Sequence, residues 1–334
     1  MLSFILLAAA APQPAQLKTF SDWTVGCDNG RACHAVGLVP EDWREDALTM
    51  GVRRGPEADA APIITFEVGD DRQATGLTAD GKPLKARVVP YDGVARVPPD
   101  DNAEALEALR RAQQIVVIGQ GGKALGTVSL KGVSAALLYM DEQQKRLGTV
   151  TALVRPGPKP AAAVPPPPPL PVVRSAPRPT GAAIALTKSR ITALRRQAKC
   201  TLDEVGGPDS FETAAIDPAH TLLLLACGSG AYNVSYVPYV VRKGPKGPDL
   251  RLASFDRSER WWGEEGHPIL TNAEWDPKRR LLTAFGKGRG LGDCGTGQDY
   301  AWDGTRFRLI QQIDMDECRG SVDYITTWRA EVRR

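Results

Sequence analysis

The sequence predicts a mainly β protein of the α+β class, with two strand-dominated lobes joined by a proline-rich linker. Short runs of alternating and β-branched residues recur along the 334 residues, separated by glycine, proline and aspartate. Between Pro156 and Pro179, eleven of the twenty-four residues are proline, which divides the chain into two parts. Six cysteines lie two before and four after this segment, a distribution typical of a disulfide-stabilised protein in an oxidising compartment.

Residues 1–15 are predicted to be a signal peptide. The chain is apolar from Phe4 to Ala11 and ends this run in alanines, as in the hydrophobic region and cleavage site of secretory leaders. No basic residue precedes Lys18, which departs from the usual leader and raises the question of the true start codon. A buried N-terminal strand is the alternative. The run is too short to span a bilayer, so we expect a soluble mature protein that is periplasmic or secreted.

The first lobe, residues 16–155, begins with a predicted hairpin. Phe20 to Cys27 alternates as a strand, a turn follows at Asp28, and Cys33 starts the returning strand. We therefore expect a disulfide between Cys27 and Cys33, which would stabilise the lobe by about 2 kcal/mol. A metal site is the alternative, but only His34 is available as an additional ligand.

The remainder of this lobe is predicted to mix strands with two helices. Asp101 and Glu104 resemble a capping box that starts a helix with Leu106 and Leu109 on its inner face. A second helix is predicted from about Ser134 to Lys145. The further predicted strands are Ile63–Val68, Ala86–Val89, Gln114–Ile118 and Gly126–Leu130.

The linker, residues 156–183, is predicted to be an extended polyproline spacer. Proline has no backbone N–H, so we expect this segment to join neither a sheet nor a helix. The two lobes would then share no core and fold independently. A ligand for a proline-recognising partner is the alternative.

The second lobe, residues 184–334, is predicted to start with one helix over residues 187–199. Ile191, Leu194 and Ala198 share one face of it, and basic residues occupy the remainder. We interpret this as a docked helix with a solvated outer face, with a membrane-binding or anion-binding face as the alternative.

The rest of the second lobe is predicted to be a β-meander or an open barrel. Asp217, Asp276 and Asp303 each stand in an Asp-Pro or Asp-Gly pair, where the carboxylate can accept backbone N–H bonds in a turn. An apolar strand is predicted after each: Leu222–Ala226, Leu281–Phe285 and Phe307–Ile310.

A glycine-rich loop, residues 286–295, interrupts this meander. Its glycines satisfy a G-x-G-x-x-G spacing, but a strand rather than a helix is predicted next, so a dinucleotide site is excluded. Lys287, Arg289 and Asp293 place charges on the loop, which is either a disulfide-stapled turn or an anion-accepting loop. Chain order favours the pairs Cys200–Cys227 and Cys294–Cys318, although four cysteines allow three pairings.

Four motifs resemble a family of exported proteobacterial proteins, domain-of-unknown-function family 1176. Phe20-x-x-Trp23-x-Val25-x-Cys27-Asp28-Asn29, Cys227-Gly228-x-Gly230-Ala231-Tyr232-Asn233, residues 287–295 and Glu317-Cys318-Arg319-Gly320 occur in this order. The first lobe, with Ser129-Leu130-Lys131-Gly132-Val133-Ser134-Ala135-Ala136, is also similar to invasion-associated locus B proteins. The resemblance implies an envelope location and a strand-dominated fold, and it implies no catalytic residue.

Charge and motifs favour binding over catalysis. Residues 17–155 carry 17 basic against 19 acidic residues and residues 184–334 carry 22 against 20, so nucleic acid is a poor candidate partner. His34, His220 and His267 have no metal-ligand spacing. An Asp314-to-Glu317 calcium site is a weaker alternative than an exposed strand edge.

The sequence therefore predicts an exported, monomeric binding or accessory factor for an anionic or glycan envelope ligand, or for an envelope protein, without cofactor or metal. Lys287, Arg289 and Asp293, together with Trp261 and Trp262, are the expected ligand-binding residues. The alternative is a peptidoglycan hydrolase that uses Glu264 and Glu265, because aromatic rings stack on sugars and paired carboxylates cleave glycosidic bonds.

Overall fold

The structure, a computed structural model, describes residues 13–42, 45–69, 72–200, 210–257 and 268–334. Strands dominate both lobes, which confirms the predicted class. No sheet of the described ranges closes into a barrel, and the second lobe is a meander of open sheets. No helix in these ranges is long and apolar enough to cross a membrane.

The first lobe contains a seven-stranded antiparallel sheet in the order β1-β2-β3-β4-β5-β9-β8 and a four-stranded sheet in the order β11-β10-β6-β7. Helix α1 spans Asn102–Arg111 and α2 spans Val133–Gln143. The strands are β1 Lys18–Phe20, β2 Trp23–Cys27, β3 Cys33–Gly37, β4 Met50–Arg54, β5 Ile63–Phe66, β6 Ala74–Ala79, β7 Lys82–Pro83, β8 Val89–Tyr91, β9 Val94–Arg96, β10 Gln114–Gly119 and β11 Ala124–Ser129. Trp23, Phe66, Ile115 and Leu137 lie in the core that the sheets and helices enclose.

The second lobe starts with helix α3, Lys188–Gln197. One sheet has the order β13-β14-β15-β16 with β17 paired to β15, and the other is the meander β18-β19-β20-β21-β22. The strands from the linker onward are β12 Val172–Arg174, β13 Phe211–Ala215, β14 His220–Ser229, β15 Val234–Gly244, β16 Gly247–Leu252, β17 Leu270–Thr271, β18 Glu274–Asp276, β19 Leu281–Lys287, β20 Gly295–Trp302, β21 Phe307–Met315, β22 Ile325–Arg329 and β23 Glu331–Arg333. Leu224, Leu282, Tyr300 and Trp302 form a core from residues of both sheets.

The three aspartate turns have the predicted chemistry. Asp217 accepts the backbone N–H groups of residues 219 and 220, each at 2.7 Å. Asp276 accepts those of residues 278 and 279, and Asp303 accepts those of residues 305 and 306, at 2.8–2.9 Å. Each turn leads directly into the strand expected after it.

Two details of the first lobe differ from the prediction, and they have one cause. Residues 86–88 form no strand, and Asp101 makes no side-chain cap on α1. The Asp101 carboxylate instead accepts the backbone N–H of Arg87 at 3.0 Å, and Glu104 accepts that of Lys85 at 2.8 Å. Because these carboxylates bind the segment before β8, Ala86 and Val88 enter the core from irregular backbone.

The linker does join a sheet, so the prediction of a free spacer is wrong. Residues 172–174 form β12, which pairs in parallel with β23. This strand lies in the proline-free stretch between Pro171 and Pro177, and the Pro171 carbonyl accepts the backbone N–H of Glu331 at 2.8 Å. Val164, Val173 and Ala176 are buried. Residues 171–176 therefore pack against the second lobe, while residues 157–159 hydrogen-bond to the backbone of residues 148–150 in the first lobe.

The two lobes also share a core, contrary to the sequence-based expectation. Val36 and Leu38 of the first lobe pack with Cys294, Met315 and Ile325 of the second. Every residue of β2 and β3 is buried for this reason, because the second lobe covers the face that the first lobe leaves open.

On α3, Ile191 and Leu194 pack against the β14–β15 sheet as expected. Arg195 is not on the solvated face: it is buried and donates from Nη2 to the Ser210 carbonyl at 2.8 Å.

Candidate functional site

The glycine-rich loop, residues 286–295, connects β19 to β20 and is fixed at its base. The Gly288 N–H donates to the Cys294 carbonyl at 2.8 Å, and the Cys294–Cys318 disulfide ties the loop to the end of β21. Gly295 has a φ of 141°, and a Cβ there would lie 2.1 Å from the Gly286 carbonyl oxygen. Only glycine fits this position.

All three disulfides join the cysteines that chain order pairs. Cys27 and Cys33 are opposite residues of the β2–β3 hairpin. Cys200 after α3 is bonded to Cys227 of β14, and Cys294 to Cys318.

A second layer of contacts holds the loop from the neighbouring sheet. The Asn233 amide donates to the Lys287 carbonyl at 2.9 Å and accepts the Lys287 N–H at 3.1 Å. The Tyr232 hydroxyl donates to the Gly288 carbonyl at 3.0 Å. Asn272 in turn orients Asn233 through a 2.9 Å hydrogen bond. The motif at residues 227–233 is thus the support of the glycine-rich loop.

Arg289 and Asp293 pair with each other within the loop. Arg289 Nε donates to Asp293 Oδ1 at 2.7 Å, and its Nη2 contacts Asp293 Oδ2. Asp293 also accepts the Gly320 N–H at 2.7 Å. The hydrogen bond from Arg289 lowers the pKa of the buried Asp293 carboxyl. Arg289 therefore shapes the loop and brings no uncompensated charge to its surface.

The tip of the loop remains open to solvent. Leu291 is 76 % exposed, and Tyr232 beside Gly290 is 42 % exposed. Within the described ranges, the Lys287 ammonium has no hydrogen-bond or ion-pair partner. We call Tyr232, Lys287 and Leu291 the loop tip. Tyr232 and Leu291 were not among the residues expected from sequence.

The remaining residues expected from the sequence lie outside the described residues. They are Trp261, Trp262, Glu264 and Glu265, together with His267.

The motif at residues 317–320 lies at the junction of the lobes. Arg319, next to the Cys294–Cys318 disulfide, donates to the carbonyls of Val39 and Ser21 at 2.8 and 2.9 Å. Its Nη2 also donates to Asp22 Oδ1 at 2.6 Å. The side chain of Arg319 therefore holds the two lobes together.

Two further ion pairs cross the junction in opposite directions. Asp28 of the first lobe pairs with Arg329 of the second, and Arg53 of the first pairs with Asp323 of the second. His34 Nε2 lies 3.2 Å from Asp323 Oδ2. Burial, and then the charge of Arg53, hold the pKa of His34 well below its ordinary value.

A polar pocket of about 520 Å³ opens at this junction. Asp22, Asp46, Gln114, Lys131 and Arg319 contribute to its wall. Its Asp22 and Arg319 pair with each other, and Ser129 donates to the other oxygen of Asp22 at 2.6 Å. The pocket is thus lined in part by groups that hold the lobes together.

The acidic run at 314–317 is not an exposed strand edge. Asp314 is buried in β21, which is paired on both sides by β20 and β22. Its carboxylate accepts hydrogen bonds from Thr296 at 2.8 Å, from Gln312 and from Thr327. Among the described residues, no group of three or more histidines, cysteines or acids is placed to hold a metal ion.

Comparisons with known proteins give a family but no activity. A family model described as a protein of unknown function (DUF1176) matches residues 17–331. The uncharacterized protein YpfG of Escherichia coli strain K12 is 32 % identical, in an alignment that covers 91 % of this chain and 89 % of YpfG. The crystal structure of invasion associated protein b from Bartonella henselae aligns with a TM-score of 0.29 at 20 % identity, over 39 % of this chain and 99 % of that chain.

Proposed function

The chain belongs to the DUF1176 family, and we propose that it is an exported binding or accessory factor that contacts an anionic, glycan-containing ligand of the cell envelope through the loop tip. Its role is recognition rather than catalysis.

Export is supported by the disulfides. Three disulfides account for all six cysteines, and such bonds persist in oxidising compartments such as the periplasm. The apolar leader at the start of the chain also supports export.

Mass spectrometry of the native protein should find its N-terminus at or shortly after Ala10, whereas recovery of intact Met1 in the cytosol would contradict export.

The observation that carries the proposal is an exposed tip on a fixed loop. Leu291 is 76 % exposed and Tyr232, beside Gly290, is 42 % exposed, so two large apolar side chains face solvent at the end of a disulfide-anchored loop. Because Asn233, Tyr232 and the Arg289–Asp293 pair already order this loop, little conformational entropy is lost when a ligand binds.

The residues of the loop have different roles in this proposal. Lys287 supplies the free positive charge that attracts an anion, and Leu291 with Tyr232 supplies apolar contact with a sugar face or acyl group. Arg289 and Asp293 are positioning residues, because their charges neutralise each other.

Co-sedimentation with purified peptidoglycan tests the proposal, since this polymer carries both sugars and carboxylates. Lys287→Ala and Leu291→Ser should each weaken binding about tenfold, which corresponds to about 1.4 kcal/mol. Lys246→Ala is the matched control, because Lys246 is an exposed lysine in the β15–β16 turn. Neither replaced side chain is buried, so melting temperatures should be unchanged. Equal retention of wild type and both loop variants, or release of soluble sugar fragments by the wild type, would contradict the proposal.

A further inference from the structure

A buried arginine without a counter-ion lies in the turn between β18 and β19, at the opposite end of β19 from the glycine-rich loop. Arg280 is only 6 % exposed. Its Nη1 donates to the Ala176 carbonyl at 2.9 Å, while its Nε is buried without a hydrogen-bond partner. Within the described ranges, no carboxylate lies at ion-pair distance from this guanidinium. An unpaired buried charge is costly, so this arrangement needs a compensating group.

Two further arginines approach Arg280 from separate segments. Arg178 follows Ala176, whose N–H donates to the Trp302 carbonyl at 2.8 Å and so fixes the end of the proline-rich segment. Arg334 follows β23 and donates from Nη2 to the Arg279 carbonyl at 3.0 Å. Both side chains belong to exposed residues. We call Arg178, Arg280 and Arg334 the arginine cluster.

The acidic residues nearest in sequence to the cluster are engaged elsewhere. Asp299 pairs with Arg279 at 2.6 Å, and Glu331 pairs with Arg333 at 3.8 Å. Asp276 accepts the turn N–H groups. Burial, followed by the charges of Arg178 and Arg334, lowers the pKa of Arg280, which agrees with a cluster of like charges.

We infer that the arginine cluster is an anion site that binds a phosphoryl group. Three arginines from three neighbouring segments supply several N–H donors and more positive charge than one carboxylate can neutralise. A phosphate ester carries nearly two negative charges and three acceptor oxygens, so it matches both the charge and the number of donors. Folding the proline-rich segment onto the second lobe is what completes this site, since Ala176 and Arg178 come from that segment.

Calorimetric titration of the full-length protein with inorganic phosphate and pyrophosphate, at constant ionic strength with chloride as the reference anion, tests the inference. The wild type should bind both anions above the chloride background. The double variant Arg178→Ala, Arg334→Ala should bind at least tenfold more weakly at an unchanged melting temperature. The control Lys243→Ala, Lys246→Ala removes the same charge from the end of β15 and the turn after it, and should bind as the wild type does. A wild type that does not bind, or a control that loses as much as the arginine variant, would overturn the inference.

Two probes distinguish a soluble source of the phosphoryl group from a membrane-bound one. Glycerol 3-phosphate reports a soluble phosphate ester, and vesicles of phosphatidic acid in phosphatidylcholine report a membrane-bound one. Binding of either probe that is lost in the arginine variant supports the site, and binding of neither overturns it. Lys287→Ala should leave both unchanged, so this test is independent of the loop tip.

Discussion

The two arginines of the family motifs both serve the structure. Arg289 is neutralised by Asp293, and Arg319 bonds to three groups of the first lobe. Arg289 and Asp293 are only four residues apart in the loop, so their pairing is local. The partners of Arg319 lie about 300 residues away along the chain, and no local pattern indicates them.

Arg319→Ala should destabilise the protein by about 2–3 kcal/mol. The variant loses the hydrogen bonds that Arg319 donates to two carbonyls and to Oδ1 of the half-enclosed Asp22 carboxylate. Urea unfolding measures this effect. The control is Arg242→Ala, which removes an exposed pair with Asp249 and should cost less than about 1 kcal/mol. Equal effects of the two variants would show that Arg319 does not hold the junction.

His34 should make stability depend on pH. Its pKa is lowered in the folded protein by burial and by Arg53, with Asp323 and the Tyr324 backbone as its other polar neighbours. Below the ordinary histidine pKa of 6.5, the unfolded chain therefore binds a proton that the folded protein does not. Stability should fall as pH decreases from 6.5 toward the folded pKa, by up to about 1.4 kcal/mol per pH unit, and then level off.

The His34→Gln variant tests this residue directly. Its unfolding free energy should lose the part of the pH dependence that lies just below pH 6.5, whatever its stability at neutral pH. If the wild type and the variant show parallel pH profiles in this range, His34 is not the titrating group.

At the scale of single elements, local chemistry made much of the structure predictable. The aspartate turns, the β2–β3 hairpin and helix α3 each follow from residues that are close in sequence. The disulfides follow chain order because each one ties neighbouring elements together. The sequence does not indicate side-chain partners that are distant along the chain. Asp101, for example, was expected to cap α1, but it accepts the backbone N–H of Arg87 before β8.

The proline-rich segment is the clearest element-scale error. Proline has no backbone N–H, but the short proline-free run Val172–Arg174 has N–H groups and pairs with β23. Residues 161–163 also form a short 3₁₀ helix within the segment.

Hydrogen exchange should show this pairing. The amides of Ser175 and Ala176, which donate to Arg333 and Trp302 at 2.8 Å, should exchange slowly, at rates comparable with those of β23. Residues 180–183, for which the structure shows no strand or helix, are the internal reference. Exchange of residues 175 and 176 as fast as this reference would mean that the segment is a free spacer.

At the scale of the whole molecule, the two lobes that the proline-rich segment separates along the chain share a core. Thr24, Gly26 and His34 alternate with the apolar residues of β2 and β3 and look like a solvent-facing side. They are buried because the second lobe covers them. A face between lobes has the mixed composition of a surface, so periodicity alone does not identify it.

The fragments 16–155 and 184–334 should consequently be less stable than the full chain. Separation exposes Val36 and Leu38, whose burial stabilises the full chain by about 1.5–3 kcal/mol each. It also leaves Arg319 and Asp323 without their ion-pair partners. Thermal unfolding should show one transition for the full chain and lower melting temperatures for both fragments. Two fragments that each melt at the temperature of the full chain would restore the view of independent lobes.

The sequence indicates where along the chain the candidate site lies, but not all of its residues. The glycine-rich loop and Lys287 were expected, while Tyr232 and Leu291 were missed. A large aliphatic residue between two glycines has no sheet periodicity to bury it, and this is the signal in the sequence that points to an exposed Leu291. Tyr232 depends on contacts across two sheets, which no sequence pattern reveals.

Site-specific photo-crosslinking in intact cells tests the central claim, that the loop tip contacts an envelope ligand. A photoreactive amino acid in place of Leu291 should give an envelope adduct, and Lys287→Ala in the same chain should reduce it about tenfold. The same photoreactive residue in place of the exposed Lys246 should give none. An adduct of equal yield from both positions, or no adduct from position 291 in a correctly folded protein, would contradict the account.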